Sequence, residues 1–255
     1  MINMLKQKYK LKTNEVVSII PMGDSHIGSI QFNEEFFEYW ESIVTKIKKN
    51  RRIYLMGDLL ESASKKVGDS AFNTNMNLTD QKAYLMDILT PLKDDIVVYC
   101  QGNHENRLNN DYGFNIAKDI ARELNIEACN QYIDSFKIND FTFDVMVRHG
   151  KGSSSRRDLA MGKLEKNTTN IEADLYLEGH NHRCMWWNNL VRNKDGIKRK
   201  YYGYTGSFLN YKGYPDAMYL PIEPPAFMTI NINQNRIVKG NQYYCDEMTP
   251  DIEFM

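Results

Sequence analysis

The chain has 255 residues, 42% hydrophobic and 25% charged, an ordinary balance for a globular protein able to bury a sizeable core; one domain over residues 1–255 is expected. Its formal net charge is -1, with no long run of one sign, which disfavours a purely electrostatic nucleic-acid binder. No stretch has the length of a transmembrane helix, and the basic first residues lack the apolar core of a secretory signal. Cys100, Cys129, Cys184 and Cys245 are scattered without a C-x-x-C, so neither a disulfide framework nor a thiolate zinc site is expected, and a cytoplasmic location is the default.

Val16 to Pro21 reads as a buried strand, closed by Gly23-Asp24-Ser25-His26-Ile27-Gly28. Asn33 can cap a helix that starts at Glu34-Glu35 and carries Phe36, Phe37, Trp40, Ile43, Val44 and Ile47 at helical spacing. Ile53 to Met56 is a second strand, running into Gly57-Asp58-Leu59-Leu60-Glu61. Residues Ser62 to Asn77 read as a polar loop, and Leu78 to Leu92 as a helix with Thr79 as its cap. Ile96 to Tyr99 is a third strand and delivers Gly102-Asn103-His104-Glu105; a helix over Phe114 to Leu124 follows.

Tyr132 to Ile138 and Phe141 to Val147 form a predicted hairpin that leads to Arg148-His149-Gly150. Ser153 to Ile171 is predicted helical, and Asp174 to Leu177 leads into Gly179-His180-Asn181-His182. The last third is strand-like over Met185 to Val191, Ile197 to Tyr204, Phe227 to Ile232 and Arg236 to Tyr244, with a turn at Asn193 to Gly196. Gly213 to Pro225 is a Pro-containing loop, a candidate lid or oligomer contact. Strand–helix alternation in the first half predicts α/β layering, and the polar motifs follow strands, where such folds place ligand-binding groups.

The motifs share one chemistry. Asp24-x-His26, Asp58-x-x-Glu61, Asn103-His104-Glu105, His149 and His180-x-His182 supply carboxylates, imidazoles and one amide, and all five histidines of the chain fall within them. Such donors suit first-row divalent ions better than calcium, which takes oxygen alone. Histidines two apart after a strand lean to the same side, as a metal site requires. Each block alone also has an ordinary reading: a turn residue or cap for Asp24, Asp58 and Asn103, a surface pair for His180 and His182, a solvated side chain for Glu105.

The ordered set resembles the calcineurin-like metallophosphoesterase superfamily, whose motifs run D-x-H, G-D-x-x-D, G-N-H-[DE], H and G-H-x-H; the match spans Asp24 to His182. The resemblance implies a four-layer αββα sandwich with two central mixed β-sheets. It implies two divalent ions, manganese first, with iron, zinc or nickel as alternatives. Asp24, His26 and His182 would hold one ion, Asn103, His149 and His180 the other, and Asp58 would bridge them.

It also implies in-line attack of a metal-bound hydroxide on phosphorus. His104 would serve the leaving group, with Glu61, in place of the family's aspartate, orienting it. Ser62-Ala63 stands where protein phosphatases have Arg-Gly, and Asp24-Ser25-His26-Ile27-Gly28 is more similar to the phosphodiesterase and repair-nuclease branch.

The expected activity is therefore hydrolysis of a phosphodiester in a nucleotide or nucleic acid. A phosphomonoesterase and a non-catalytic metal-holding interaction module are the alternatives. Arg107 and Arg148 are candidate phosphate contacts, with Lys151, Arg156 and Arg157 nearby. Tyr201, Tyr202, Tyr204, Phe208, Tyr211 and Tyr214 could stack on bases, although sheet packing explains most such aromatics. No membrane partner is expected, and the sequence leaves the oligomeric state open.

Overall fold

The computed structural model describes residues 7–62, 74–152, 154, 156–193, 196–210, 223–245 and 252–253. The strands in chain order are β1 (Lys8–Tyr9), β2 (Val16–Met22), β3 (Arg51–Leu55), β4 (Ile96–Cys100), β5 (Glu127–Cys129), β6 (Gln131–Ile138), β7 (Phe141–Arg148), β8 (Leu175–Glu178), β9 (Cys184–Asn193), β10 (Gly196–Thr205), β11 (Ala226–Asn233), β12 (Val238–Tyr244) and β13 (Ile252–Glu253). The helices are α1 (Glu34–Lys46), α2 (Leu78–Leu89), α3 (Asn103–Tyr112), α4 (Ile116–Leu124) and α5 (Arg157–Thr168).

Two mixed sheets form. One runs β13-β12-β11-β2-β3-β4-β5, with β2 to β5 mutually parallel; the other runs β1-β6-β7-β8-β10-β9, with β7, β8 and β10 parallel. The period-two alternation of the strands decides how they stack. Ile20, Met22, Ile53 and Leu55 face α1, α2 and α4 through Phe36, Phe37, Trp40, Leu85, Leu89, Ile116 and Ile120. Their strand neighbours Val17, Ile19, Tyr54 and Met56 face the other way, onto Phe136, Phe143, Val145, Val147, Leu175 and Leu177 of the second sheet. Met146 and Tyr176 turn outward again and pack on Ala160 and Leu164 of α5. The order is helices, sheet, sheet, helix: the αββα sandwich expected from the motifs. Each of these fully buried large side chains contributes about 1.5–3 kcal/mol of hydrophobic stabilisation before the entropy of ordering is subtracted.

Local signals set most boundaries. Asn33 Oδ1 accepts the Phe36 N–H at 2.9 Å, and Glu34 and Glu35 occupy the positive end of α1. Three expectations change. The cap of α2 is Asn77, whose Oδ1 accepts from Asp80 N at 3.0 Å, so Thr79 lies inside the first turn. The helix stops at Leu89 and tightens into a 3-10 turn over Thr90–Asp95, because Pro91 cannot donate to the helical ladder. Asn103–Tyr112 is helical, starting inside a motif that the sequence suggested only as a site.

Most of the loops at Ser62–Asn77 and Gly213–Pro225, and the centre of the turn at Asn193–Gly196, lie outside the described residues. No helix among the described residues is long and apolar enough to cross a membrane.

Candidate metal centre

The motifs converge because both sheets present the carboxyl ends of their parallel strands at one edge. Asp24 and His26 follow β2, Asp58 and Glu61 follow β3, Asn103 and His104 open α3 after β4, His149 follows β7, and His180 and His182 follow β8. The backbone is unusual there. Asp24, His26, Asp58, His180 and His182 all have φ between 48° and 62°, the left-handed region that costs a non-glycine residue about 1–3 kcal/mol. Strain held at five residues of one cluster marks it as a site whose geometry the surrounding structure enforces.

Three sets of donors lie within 4.8 Å of one another: Asp24, His26 and His182; Asp58, His149 and His180; and His26, Asp58 and His104. Asp58 stands between the first two, its Oδ2 being 3.2 Å from His149 Nε2 and 4.0 Å from His26 Nε2. Asn103 Oδ1 and His180 Nδ1 sit 3.0 and 3.2 Å from the same His149 nitrogen. His182 Nε2 lies 3.4 Å from Asp24 Oδ1. All seven expected ligands are thus gathered, His182 beside Asp24 and His26, and His180 beside Asn103 and His149.

The donor chemistry fits cations. His149 Nδ1 lies 2.9 Å from the Met56 carbonyl, which can only accept, so a proton is on Nδ1, and Nε2, which carries the lone pair in the neutral ring, faces Asn103, Asp58 and His180. One nitrogen cannot satisfy three such neighbours, whereas an ion among them can. Asp24 Oδ1 and His26 Nε2 are buried and lack a hydrogen-bond partner, a costly state for polar atoms unless something else meets them.

Without metal, protons do part of this work. Burial opposes a charge on His149, but the hydrogen bond to Asp58 and the charges of Asp24 and Asp58 outweigh it and push the pKa up to about 10. Burial likewise opposes ionisation of Asp58, and His149 overcomes it, holding the carboxyl well below its usual range. His26 is raised: burial is offset by Glu61, Asp58 and Asp24.

Close backbone approach holds the β3 and β4 loops together. A Cβ on Gly102 would fall 2.1 Å from Asp58 Oδ1, and one on Gly57, where φ is 86°, would fall 2.5 Å from Gly102 N. Only glycine fits at these two positions. Glu105, for which the sequence left the choice between partner and solvated side chain, is fully buried beneath them. It accepts from the N–H groups of Asp58, Leu59 and Gly102 and from the Tyr99 hydroxyl, each at 2.9–3.0 Å. Its signal was position: Glu three residues after the helix N-cap.

Two expected roles change. Glu61 Oε1 is 3.6 Å from His104 Nδ1, too far for a hydrogen bond; the Glu61 main-chain carbonyl takes that place at 2.7 Å, and the carboxylate instead meets His26 Nδ1 at 3.0 Å. Arg148 is not free for phosphate, because its Nε and Nη2 hold the buried Glu178 carboxylate at 2.7 and 2.6 Å. Arg107 does reach the site, with Nη2 3.4 Å from His104 Nε2.

Arg156 pairs with exposed Asp158, Arg157 reaches Glu223, and Lys151 is exposed. Tyr201 stacks on Trp186, Tyr202 on Tyr176 and Trp187, and Phe208 on Phe227, so these aromatics are engaged in packing; Tyr211 and Tyr214 lie outside the described residues.

No protein-family model matches the sequence, and no curated protein matches it. Among solved structures, Vacuolar Protein Sorting 29 from Cryptosporidium parvum is similar at a TM-score of 0.50 and 15% identity, over 94% of this chain and 98% of that one. A predicted phosphoesterase from Streptococcus pneumoniae TIGR4 aligns at a TM-score of 0.46 and 16% identity, over 94% and 97%. A metallophosphoesterase from Sphaerobacter thermophilus aligns at 0.43 and 16%, over 89% of each chain. At such identities the likeness is one of fold. The fold is α/β with two packed mixed sheets and a carboxylate–imidazole cluster at one sheet edge. The chain shares the fold of the Vacuolar Protein Sorting 29 structure, and its five motifs stand in the order of the superfamily that the sequence resembles.

Proposed function

We propose that the protein is a divalent-metal-dependent phosphoesterase that hydrolyses a phosphodiester in a nucleotide or nucleic acid. The observation that carries this reading is the position of Asp58 between two groups of donors, Asp24, His26 and His182 on one side and Asn103, His149 and His180 on the other. Bound there, two divalent ions, manganese being the first choice, would supply Lewis acidity towards the phosphoryl oxygens and a water nucleophile near neutral pH.

The residues around the ions have separate tasks. Asp24 and Asp58 offset the ions' charge only in part, leaving a net positive site for a phosphate. Arg107 adds a guanidinium beside His104, suited to a non-bridging oxygen.

His104 would serve the leaving oxygen. Burial and the nearby His26 depress its pKa to about 4, and the Glu61 carbonyl fixes its proton on Nδ1. Donation from Nε2 therefore needs the doubly protonated ring, a form that the negative charge of a bound phosphate would favour and the charge of the two ions would oppose.

The intact donor set supports catalysis over a purely scaffolding role. Hydrolysis of bis-p-nitrophenyl phosphate and p-nitrophenyl phosphate, compared with and without Mn2+, tests the assignment. Metal-dependent turnover with the diester preferred is expected. Turnover of the monoester alone would replace the diester reading, and no turnover of either across a nucleotide and oligonucleotide panel would reject the enzyme.

A further inference from the structure

Glu61 touches both histidines at its end of the site, by two different parts of the residue. Its carboxylate lies 3.0 Å from His26 Nδ1, and its main-chain carbonyl lies 2.7 Å from His104 Nδ1. Both contacts are shielded: Glu61 is 8% exposed and His26 3%. The two rings meet edge to face, with centroids 4.5 Å apart, so neither can rotate without displacing the other.

A carbonyl or ionised carboxylate only accepts, so each contact places a proton on Nδ1. In the neutral ring the lone pair is then on Nε2. For His26 that nitrogen is buried, has no hydrogen-bond partner and stands 4.0 Å from Asp58 Oδ2, in the group formed with Asp24 and His182. The other candidate ligand with a fixed Nδ1, His149, is held by the neutral carbonyl of Met56. The two halves of the cluster therefore differ, with a negatively charged partner behind His26 and a dipole behind His149.

We propose that Glu61 is a positioning residue for the Asp24–His26–His182 half of the centre: its carboxylate fixes the His26 ring with Nε2 towards the ion and raises the ring's donor strength, while its carbonyl sets His104. The inference rests on the metal-centre reading above. A carboxylate behind a ligating histidine makes the imidazole a stronger donor, and loss of such a partner commonly lowers metal affinity 10–100-fold. The longer side chain of Glu, relative to the aspartate of the resembled motif, has carried the carboxylate past His104 to His26.

The test uses the full chain stripped of metal and titrated with Mn2+, with free ion followed by electron paramagnetic resonance, for wild type, Glu61→Gln and Glu61→Ala. Wild type should take up two ions. Glu61→Ala should weaken one by about 10–100-fold and leave the other within about threefold. Glu61→Gln, whose amide oxygen still accepts from Nδ1, should fall between. Nitrogen-15 spectra of the imidazoles, taken without metal at a pH where His26 is neutral, supply a readout independent of binding and of the fate of any one variant. His26 should be the Nδ1–H form in wild type and Glu61→Gln, and a mixture of forms in Glu61→Ala.

Two ions bound by Glu61→Ala with wild-type affinities would overturn the inference and leave the metal centre standing, as would an Nε2–H His26 in the wild type. Failure of the wild type to bind Mn2+ would remove the metal centre and this inference with it.

Discussion

Glu105 accepts the main-chain N–H of Asp58 at 3.0 Å from 47 residues away, and through Gly102 N it ties the loop after β3 to the loop after β4. The shared carboxylate of the cluster is thus held from below by a second, fully buried carboxylate that touches no candidate ion. Asp58 Oδ1 returns the link by accepting the His104 N–H at 2.8 Å.

Glu105→Gln should therefore destabilise the fold although it is nearly isosteric. Each Glu105 oxygen accepts from two donors; an NH2 in place of Oε2 would confront the N–H groups of Asp58 and Gly102, and one in place of Oε1 the N–H of Leu59, the Tyr99 hydroxyl being able to turn and accept. A loss of about 2–3 kcal/mol is expected from the cost of unsatisfied buried groups, read as a lower urea midpoint with an unchanged slope. An unaltered midpoint would show that the four contacts contribute little.

Replacing Asp58 should act on both halves of the centre. Asp58→Asn removes the carboxylate whose Oδ2 lies 4.0 Å from His26 Nε2 and 3.2 Å from His149 Nε2, and turnover should fall by at least about 100-fold, the upper range for losing merely an outer partner of a ligand. Mn2+ titration should show both ions weakened. A variant that loses only one ion would disprove the bridging arrangement.

The metal-free protein should lose stability on the alkaline side. The folded pKa of His149 is raised to about 10 from an ordinary 6.5, so the protonated ring favours the fold. That contribution is complete below about 6.5 and disappears as pH rises through about 10. Mn2+ must displace the same proton, so calorimetric titration near neutral pH in buffers of different ionisation enthalpy should register proton release on binding. Binding heats that are independent of the buffer would contradict the protonated His149.

Arg107 and Arg148 should separate cleanly. Arg148→Ala leaves the Glu178 carboxylate buried without its partner and should cost about 3 kcal/mol of stability. Arg107→Ala should leave the thermal midpoint nearly unchanged and raise KM for the phosphodiester several-fold. The opposite pattern, a stable Arg148→Ala with raised KM, would restore Arg148 as a substrate contact.

Much of the layering was legible because its causes are local. The apolar run of Val16–Met22 and the apolar face of Glu34–Lys46 predict their own packing, and Asn33 announces the start of α1. α3 was not legible: Glu105-Asn106-Arg107-Leu108-Asn109-Asn110 has almost no apolar face, and the helix is held by its cap and by Glu105 beneath it. Thr79 and Asn77 are both competent caps, and the cap fell to the one whose side chain reaches Asp80 N.

The sequence by itself determined the candidate donors. Through the superfamily they resemble, five ordered blocks pointed to Asp24, His26, Asp58, Asn103, His149, His180 and His182, and each lies in a short stretch after a strand whose end is fixed by local pattern. Only the tertiary structure decided which donors share a point and what stands behind them. The Glu61 carboxylate went to His26 and its carbonyl to His104, Arg148 went to Glu178, and Glu105 went beneath Asp58. Apart from the capping bond from Gly102 N–H to Glu105, these contacts join residues 30 to 47 positions apart, on neighbouring parallel strands of one sheet or on the segments that follow them, and a side chain's partner across such a gap depends on ångström-scale distances that no local pattern encodes.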